Sequence, residues 1–463
     1  MSDFVSTEET VVFPRELDRS YPLIERAEGM WLYDGDGASY LDAVGGGAMV
    51  ASIGHGVREI VEAARVQAER VSFLYNQQFT TPAQEELARE LVALAPPGFA
   101  RVHFTSGGAE ANETAVRLAR SYHVERGEAG RWRIISPAQA YHGPTSATLG
   151  LAGRPALQRP YGPYIVPQLH IPPASWRFDP SGTEALAALD ALLEEHAGEI
   201  SAFLCEPVSA AALPAYSPPE AFWHGLAERR ERHGFLIVLD EVVTGMGRTG
   251  TWFAADQLPL VPDVITTSKG LGAGYANVGA VLCRAEVFDA VAAGSRVFDL
   301  GHTWDGAPLS CAVGLAVVRY LREHGLVERV QSEGPRVLRA LAAALADSEL
   351  VADVRGRGFL FGVDYADPRD GRSFLPPELG VARRIDNEAL ARGLIVYSTQ
   401  PTADGYAGDQ TLVAPAFTST DEELSLVVER LAEAVFAVER EVKDRLASPP
   451  SPVEASSRGG PSG

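Results

Sequence analysis

Short apolar runs with polar ends recur through the middle of the chain, each separated from the next by a helix-length segment. VHFTS (Val102–Ser106), RIISP (Arg133–Pro137), AFLCEP (Ala202–Pro207), FLIVLDEV (Phe235–Val242), DVITTSK (Asp263–Lys269) and GAVLC (Gly279–Cys283) form the series. Continuous rather than alternating apolar runs mark strands covered on both faces. The pattern predicts an α/β fold: a buried, mainly parallel sheet with helices on both sides. After the first run the period changes. In AEANETAVRLARSYHVERG, Ala111, Ala115, Leu118, Ala119 and Tyr122 fall on one helical face.

The flanks read differently. WLYDGDGASYLD (Trp31–Asp42) predicts two short strands around a turn, because Asp-Gly-Asp-Gly supplies turn residues between aromatic and apolar ones. Beyond about residue 310, CAVGLAVVRYLREHG and GPRVLRALAAALADS predict long amphipathic helices. Strands follow near Gly358–Asp364 and Leu394–Tyr397, and a last helix opens at Thr420 or Asp421. The expected division is a loosely held arm over 1–20, a large domain over 71–315, and a smaller α+β domain built from 21–70 and 316–445. The Pro-, Ser- and Gly-rich stretch within 446–463 is expected to be disordered.

Composition narrows the partners. The 463 residues are 46% hydrophobic, with 40 basic against 61 acidic side chains, for a formal charge of −21. An acidic surface opposes phosphate backbones and anionic headgroups, so neither nucleic acid nor membrane is expected as a partner. Cys205, Cys283 and Cys311 lie far apart with no C-x-x-C pair, as buried thiols in a reducing compartment would. The polar start MSDFVSTEET has no basic and apolar leader pattern, and the cytoplasm is the expected location.

Several strands end in reactive groups, and open α/β sheets gather function at those ends. Lys269 follows Thr-Thr-Ser and precedes Gly-Leu-Gly-Ala-Gly. Small neighbours allow a ligand close, and a buried amine loses affinity for its proton. On spacing alone it reads equally well as a surface lysine in a glycine loop. Asp240 ends a run of five apolar residues. It needs a cationic or hydrogen-bonding partner, either a protonated ring nitrogen or an arginine such as Arg248. Ser106-Gly107-Gly108-Ala109 opens a helix and suits an anion, although a plain glycine turn looks the same. Tyr141 suits stacking on a planar ring or a place in the core. Thr303, in GHTW, suits a phosphate or a turn. No His, Cys and carboxylate spacing points to a metal, and no G-x-S-x-G to a serine hydrolase.

Taken in order, these segments resemble the class III, ω-amino acid type aminotransferases, over about residues 20–445. The resemblance rests on SGGAEANETAVRLAR, YHG at Tyr141–Gly143, LCEPV, VLDEVVTGMGRTG at Val238–Gly250, TTSKGLGAGYANVGA, GHTWDGAP and VRGRGFLFGVD at Val354–Asp364. It implies the pyridoxal phosphate fold of aspartate aminotransferase type, with a seven-stranded sheet, and a homodimer with shared sites. It also implies roles. Lys269 forms the Schiff base and moves the substrate proton. Asp240 pairs with the pyridine nitrogen. Gly108 and Ala109 give N–H groups to the phosphate. Tyr141 and His142 lie at the ring with Val242 behind it. Thr303 reaches the phosphate of the neighbouring subunit. Glu206 sits near the substrate and pairs with an arginine.

Three departures bear on substrate. Gly107 and Ala109 stand where relatives often carry hydroxyls, so backbone groups must carry more of the phosphate. Val243 replaces the Gln of glutamate users, which points to ω-amino acids and amines. DGYAGDQTLVAPAF places Tyr406 and Ala407 where many relatives carry a carboxylate-binding arginine. The expected reaction is amino transfer between an amino acid or amine and a keto acid or aldehyde. The alternative is another reaction at Cα on the same site, as a racemase, aminomutase, decarboxylase or lyase.

Overall fold

The computed structural model describes residues 4–6, 10–400 and 408–447. Three N-terminal strands, β1 (Ile24–Glu28), β2 (Trp31–Asp34) and β3 (Ser39–Asp42), form an antiparallel meander. The predicted Trp31–Asp42 hairpin is its second half. Helices α1 (Arg58–Arg70) and α2 (Pro82–Leu94) lead into the central sheet. Its strands are β4 (Phe99–Thr105), β5 (Arg133–Pro137), β6 (Leu169–Ile171), β7 (Ile200–Cys205), β8 (Leu236–Asp240), β9 (Val264–Thr267) and β10 (Gly279–Arg284).

These seven strands lie in the order β4-β10-β9-β8-β7-β5-β6. Only β10 runs antiparallel to its neighbours. The apolar runs split between two cores with a period of two, as strands require. Ile135, Phe203, Ile237, Leu239 and Ile265 face one core, whereas Ile134, Ala202, Leu204, Val238 and Val264 face the other. Helices α3 (Gly108–Glu125), α4 (Thr183–Glu195) and α5 (Glu220–His233) follow β4, β6 and β7 as crossovers. Fold class and sheet are as the sequence predicts. Strand β6 had no sequence signal: it is a three-residue edge strand with a histidine at its centre.

The C-terminal part carries α6 (Pro308–Glu323), α7 (Leu326–Ala344) and the hairpin β11 (Val351–Arg357) and β12 (Leu360–Tyr365). The expected strand over Leu394–Tyr397 is two strands in two sheets. β13 (Leu394–Ile395) pairs in parallel with β3, whereas β14 (Tyr397–Thr399) pairs with β15 (Gln410–Val413), which in turn pairs with β12. The chain ends thus share one sheet. Helix α8 (Asp421–Ala447) is capped by Thr420, whose Oγ1 accepts from the N–H of Glu423 while the Glu423 carboxylate accepts from the N–H of Thr420. That reciprocal pair decides between the two predicted starts. The tail from 448 and the Tyr406–Ala407 position lie outside the described residues.

Candidate active site

Three neighbouring strands deliver the reactive groups to one edge of the sheet. Asp240 is the last residue of β8, Glu206 follows β7, and Lys269 stands two residues past β9. They line a cavity of about 160 Å³ with Gly108, Ala109, Tyr141, His142 and Val242. A larger cavity, of about 370 Å³, lies under Phe288 and Phe298, and its walls hold neither lysine nor carboxylate. Chemistry, not size, therefore selects the site.

Lys269 opens a short turn with φ +31°, a left-handed backbone that costs an L-residue about 1–3 kcal/mol. Among the described residues its Nζ has no hydrogen bond or ion pair. Burial lowers the amine's pKa, against the opposing pull of Asp240 and Glu206, so the neutral, nucleophilic form is reached at lower pH than for a free lysine. Composition adds a signal that motif reading overlooked. Of the 40 basic residues only Lys269 and Lys443 are lysines. A chain that otherwise uses arginine keeps lysine here because a guanidinium cannot become a free amine.

Asp240 is 4% exposed and does not meet Arg248. His142 Nδ1 and Asn112 Nδ2 each donate to its Oδ2 at 2.7 Å, and the N–H of Val242 donates to Oδ1 at 3.0 Å. Arg248 is spent elsewhere, on the carbonyl oxygens of Phe359 and Pro415. Glu206 accepts from Ser209 Oγ and from the N–H groups of Ala210 and Tyr141, and burial raises its pKa. The arginine expected to pair with it is not among these partners. Gly108 and Ala109 begin α3, where N–H groups lack intrahelical partners. Gly108 must be glycine, because a Cβ there would meet Val242 Cγ1 at 2.7 Å. Thr303 is exposed and lies outside the cavity.

Asn112, Pro144 and Ala211 of the lining were not among the residues expected from the sequence. Asn112 was detectable: it sits one turn from Gly108 and Ala115, on the buried face, where an amide must have partners.

Next to the site, Glu241 is fully buried, accepting from Thr244 Oγ1 and the N–H groups of Ala254 and Ala255. Burial pushes its pKa from 4.5 up to about 7. A raised carboxyl pKa contributes stability that is complete below the unfolded value and lost as pH rises through the folded one. Between pH 4.5 and about 7, wild type is expected to lose up to roughly 3 kcal/mol of unfolding free energy relative to Glu241→Gln. Denaturant titrations of both proteins across this window check it, and parallel pH profiles would contradict it.

The family model for class III aminotransferases matches residues 12–435. The chain is a class III aminotransferase. An uncharacterized aminotransferase of Bacillus subtilis (strain 168), YodT, is 34% identical to it over 92% of this chain and 98% of the relative. Among solved structures, an (S)-enantioselective omega-transaminase from Thermomicrobium roseum superposes with a TM-score of 0.86 at 33% identity, covering 93% and 96% of the two chains. An amine transaminase from an uncultivated Pseudomonas species, solved in a PLP-bound form, gives 0.83 at 30% identity over 90% and 94%. The aminotransferase is therefore a transaminase of the pyridoxal phosphate-dependent class, with that class's fold. The cavity's donor set fits that cofactor. It offers an amine for the aldehyde, a carboxylate for the ring nitrogen and a helix N-terminus for the phosphate. Among the described residues, no helix of the aminotransferase is long and apolar enough to cross a membrane.

Proposed function

We propose that this transaminase holds pyridoxal phosphate covalently through Lys269 and takes amino groups from amines and ω-amino acids. The observation that carries this is a lysine with no hydrogen bond or ion pair among the described residues and an acceptor-only aspartate, from adjacent strands, in one small cavity. When bound, the cofactor supplies an electron sink for the substrate carbanion. The chain's own groups do the rest. Asp240 binds the ring nitrogen and keeps it cationic. Gly108 and Ala109 bind the phosphate through backbone N–H groups. Tyr141 and Val242 would line the place of the ring, and His142 braces Asp240. The Lys269 amine would serve as the base that takes and returns the proton at the substrate Cα.

The substrate class follows from charge. The described lining holds Glu206 and Asp240 but no arginine. A donor's α-carboxylate would find no arginine to pair with in this lining, whereas an uncharged substituent needs none. Val243 leaves the wall apolar. Amines lacking an α-carboxylate are therefore expected to react at least about tenfold faster, in kcat/KM, than α-amino acids of equal size. Single-turnover bleaching of the cofactor's visible band by matched donor pairs measures this; equal rates would contradict it.

The assembly belongs to the same reading. Thr303 is exposed beside Trp304, whose ring packs edge-on against exposed Phe73 at 5.2 Å. This apolar corner supports a homodimer in which Thr303 reaches the other subunit's phosphate. The sharing of one sheet by β3 and β13 supports the division into a large unit over 71–315 and a smaller one from 21–70 and 316–445. Three buried free thiols support a cytoplasmic enzyme.

A further inference from the structure

Asn112 is 1% exposed on the face of α3 turned towards the sheet. A buried amide must satisfy its oxygen and both amide protons, and Asn112 does so entirely at the cofactor cavity. Thr266 Oγ1 donates to its Oδ1 at 2.7 Å. Its Nδ2 donates to the His142 carbonyl oxygen at 2.9 Å and to Asp240 Oδ2 at 2.7 Å. The His142 carbonyl and the Asp240 carboxylate, which can only accept, set the amide's orientation, because the flipped form would press its oxygen against both. One side chain thereby joins four parts of the site: α3, the Tyr141–His142 loop, β8 with Asp240, and β9, which leads to Lys269.

We infer that Asn112 is a positioning residue for the transfer reaction, acting through Asp240 on the cofactor ring. This rests on the proposed role of Asp240. Oδ2 accepts from Asn112 and His142, while among the described residues Oδ1 receives only the N–H of Val242. Oδ1 therefore keeps a lone pair for the ring N–H. Held by these donors, the carboxylate stays aimed at the place of the ring nitrogen, where it would hold the ring N–H of a bound cofactor. Without the Asn112 amide a bound ring would hold its proton less firmly and would draw fewer electrons from the nitrogen of Lys269 joined to it. That nitrogen becomes more basic, so its proton leaves at higher pH.

The test uses the full chain loaded with pyridoxal phosphate, as wild type, Asn112→Leu and Thr266→Val. Visible absorbance is titrated from neutral to alkaline pH, and kcat and KM are measured with one amine donor. In Asn112→Leu the midpoint of the band is expected to rise by about one pH unit, and kcat to fall about tenfold with KM changed less than about twofold. Thr266→Val, which keeps side-chain shape, shifts both in the same direction by less and decides the matter should Asn112→Leu not fold. Folded variants with the wild-type midpoint and kcat overturn the inference alone. A wild type lacking any such band overturns the cofactor reading and the inference with it.

Discussion

Replacing Lys269 by alanine is expected to reduce amino transfer by about 10⁴-fold or more, the upper range for loss of a positioned proton-transfer group. Two functions fail together: covalent attachment of the cofactor and proton movement at the substrate carbon. The visible band that reports the covalent link should vanish while free pyridoxal phosphate still enters the cavity. Lys269→Arg is not expected to rescue, since a guanidinium stays protonated and its planar fork does not fit the place of a single amine. The turn itself is strained at φ +31°. Glycine tolerates that backbone better than alanine, so Lys269→Gly should melt no lower than Lys269→Ala. Steady-state rates of the loaded variants, with melting curves to confirm folding, check this. Undiminished turnover in Lys269→Ala would end the catalytic assignment.

The second large effect is at Asp240. Asp240→Asn is nearly isosteric, yet its amide offers one oxygen where the carboxylate offers two. His142, Asn112 and Val242 direct three N–H groups at those two oxygens, so the amide NH₂ must confront at least one donor. A buried donor left unpaired costs about 1–3 kcal/mol, and a melting temperature lowered by several degrees is the expected structural cost. Catalysis should suffer more. Without a carboxylate the ring nitrogen loses the charge that keeps it protonated, and loss of a preorganised electrostatic contact is worth about 10²–10³ in kcat. The two consequences separate experimentally. Melting curves report the first, and single-turnover rates at saturating donor, well below the melting transition, report the second. A variant that melts lower but turns over at the wild-type rate would show Asp240 to be a structural residue.

The sheet was legible because its chemistry is simple. Leu236–Asp240 is apolar until it ends in charge, and Val264–Thr267 is buried throughout and leads two residues on to Lys269, a pattern few other structures permit. Lys269, Asp240 and Glu206 were legible for the same reason: each stands where a buried strand ends. What was not legible depends on contacts between distant parts of the chain. Asp240 could equally have met Arg248 on sequence grounds; in three dimensions Arg248 turns to the carbonyls of Phe359 and Pro415, and Asn112, 128 residues away in sequence, takes its place. The split of Leu394–Tyr397 between two sheets was hidden likewise, because four residues cannot show that their first pair belongs beside Leu41 and their last beside Leu412. Strand β6 gave no periodic signal in three residues.

The most direct measurement exploits the chain's two lysines, Lys269 and Lys443. Lys443, on the terminal helix, pairs with Glu439 of that helix and with Glu349, far in character from an apolar cavity. Borohydride reduction of the loaded enzyme, followed by peptide mass mapping, fixes any covalently held cofactor where it stood. The account predicts one pyridoxyl adduct per chain, on Lys269. An adduct on Lys443 alone, or none on an enzyme that still transfers amino groups, would contradict it.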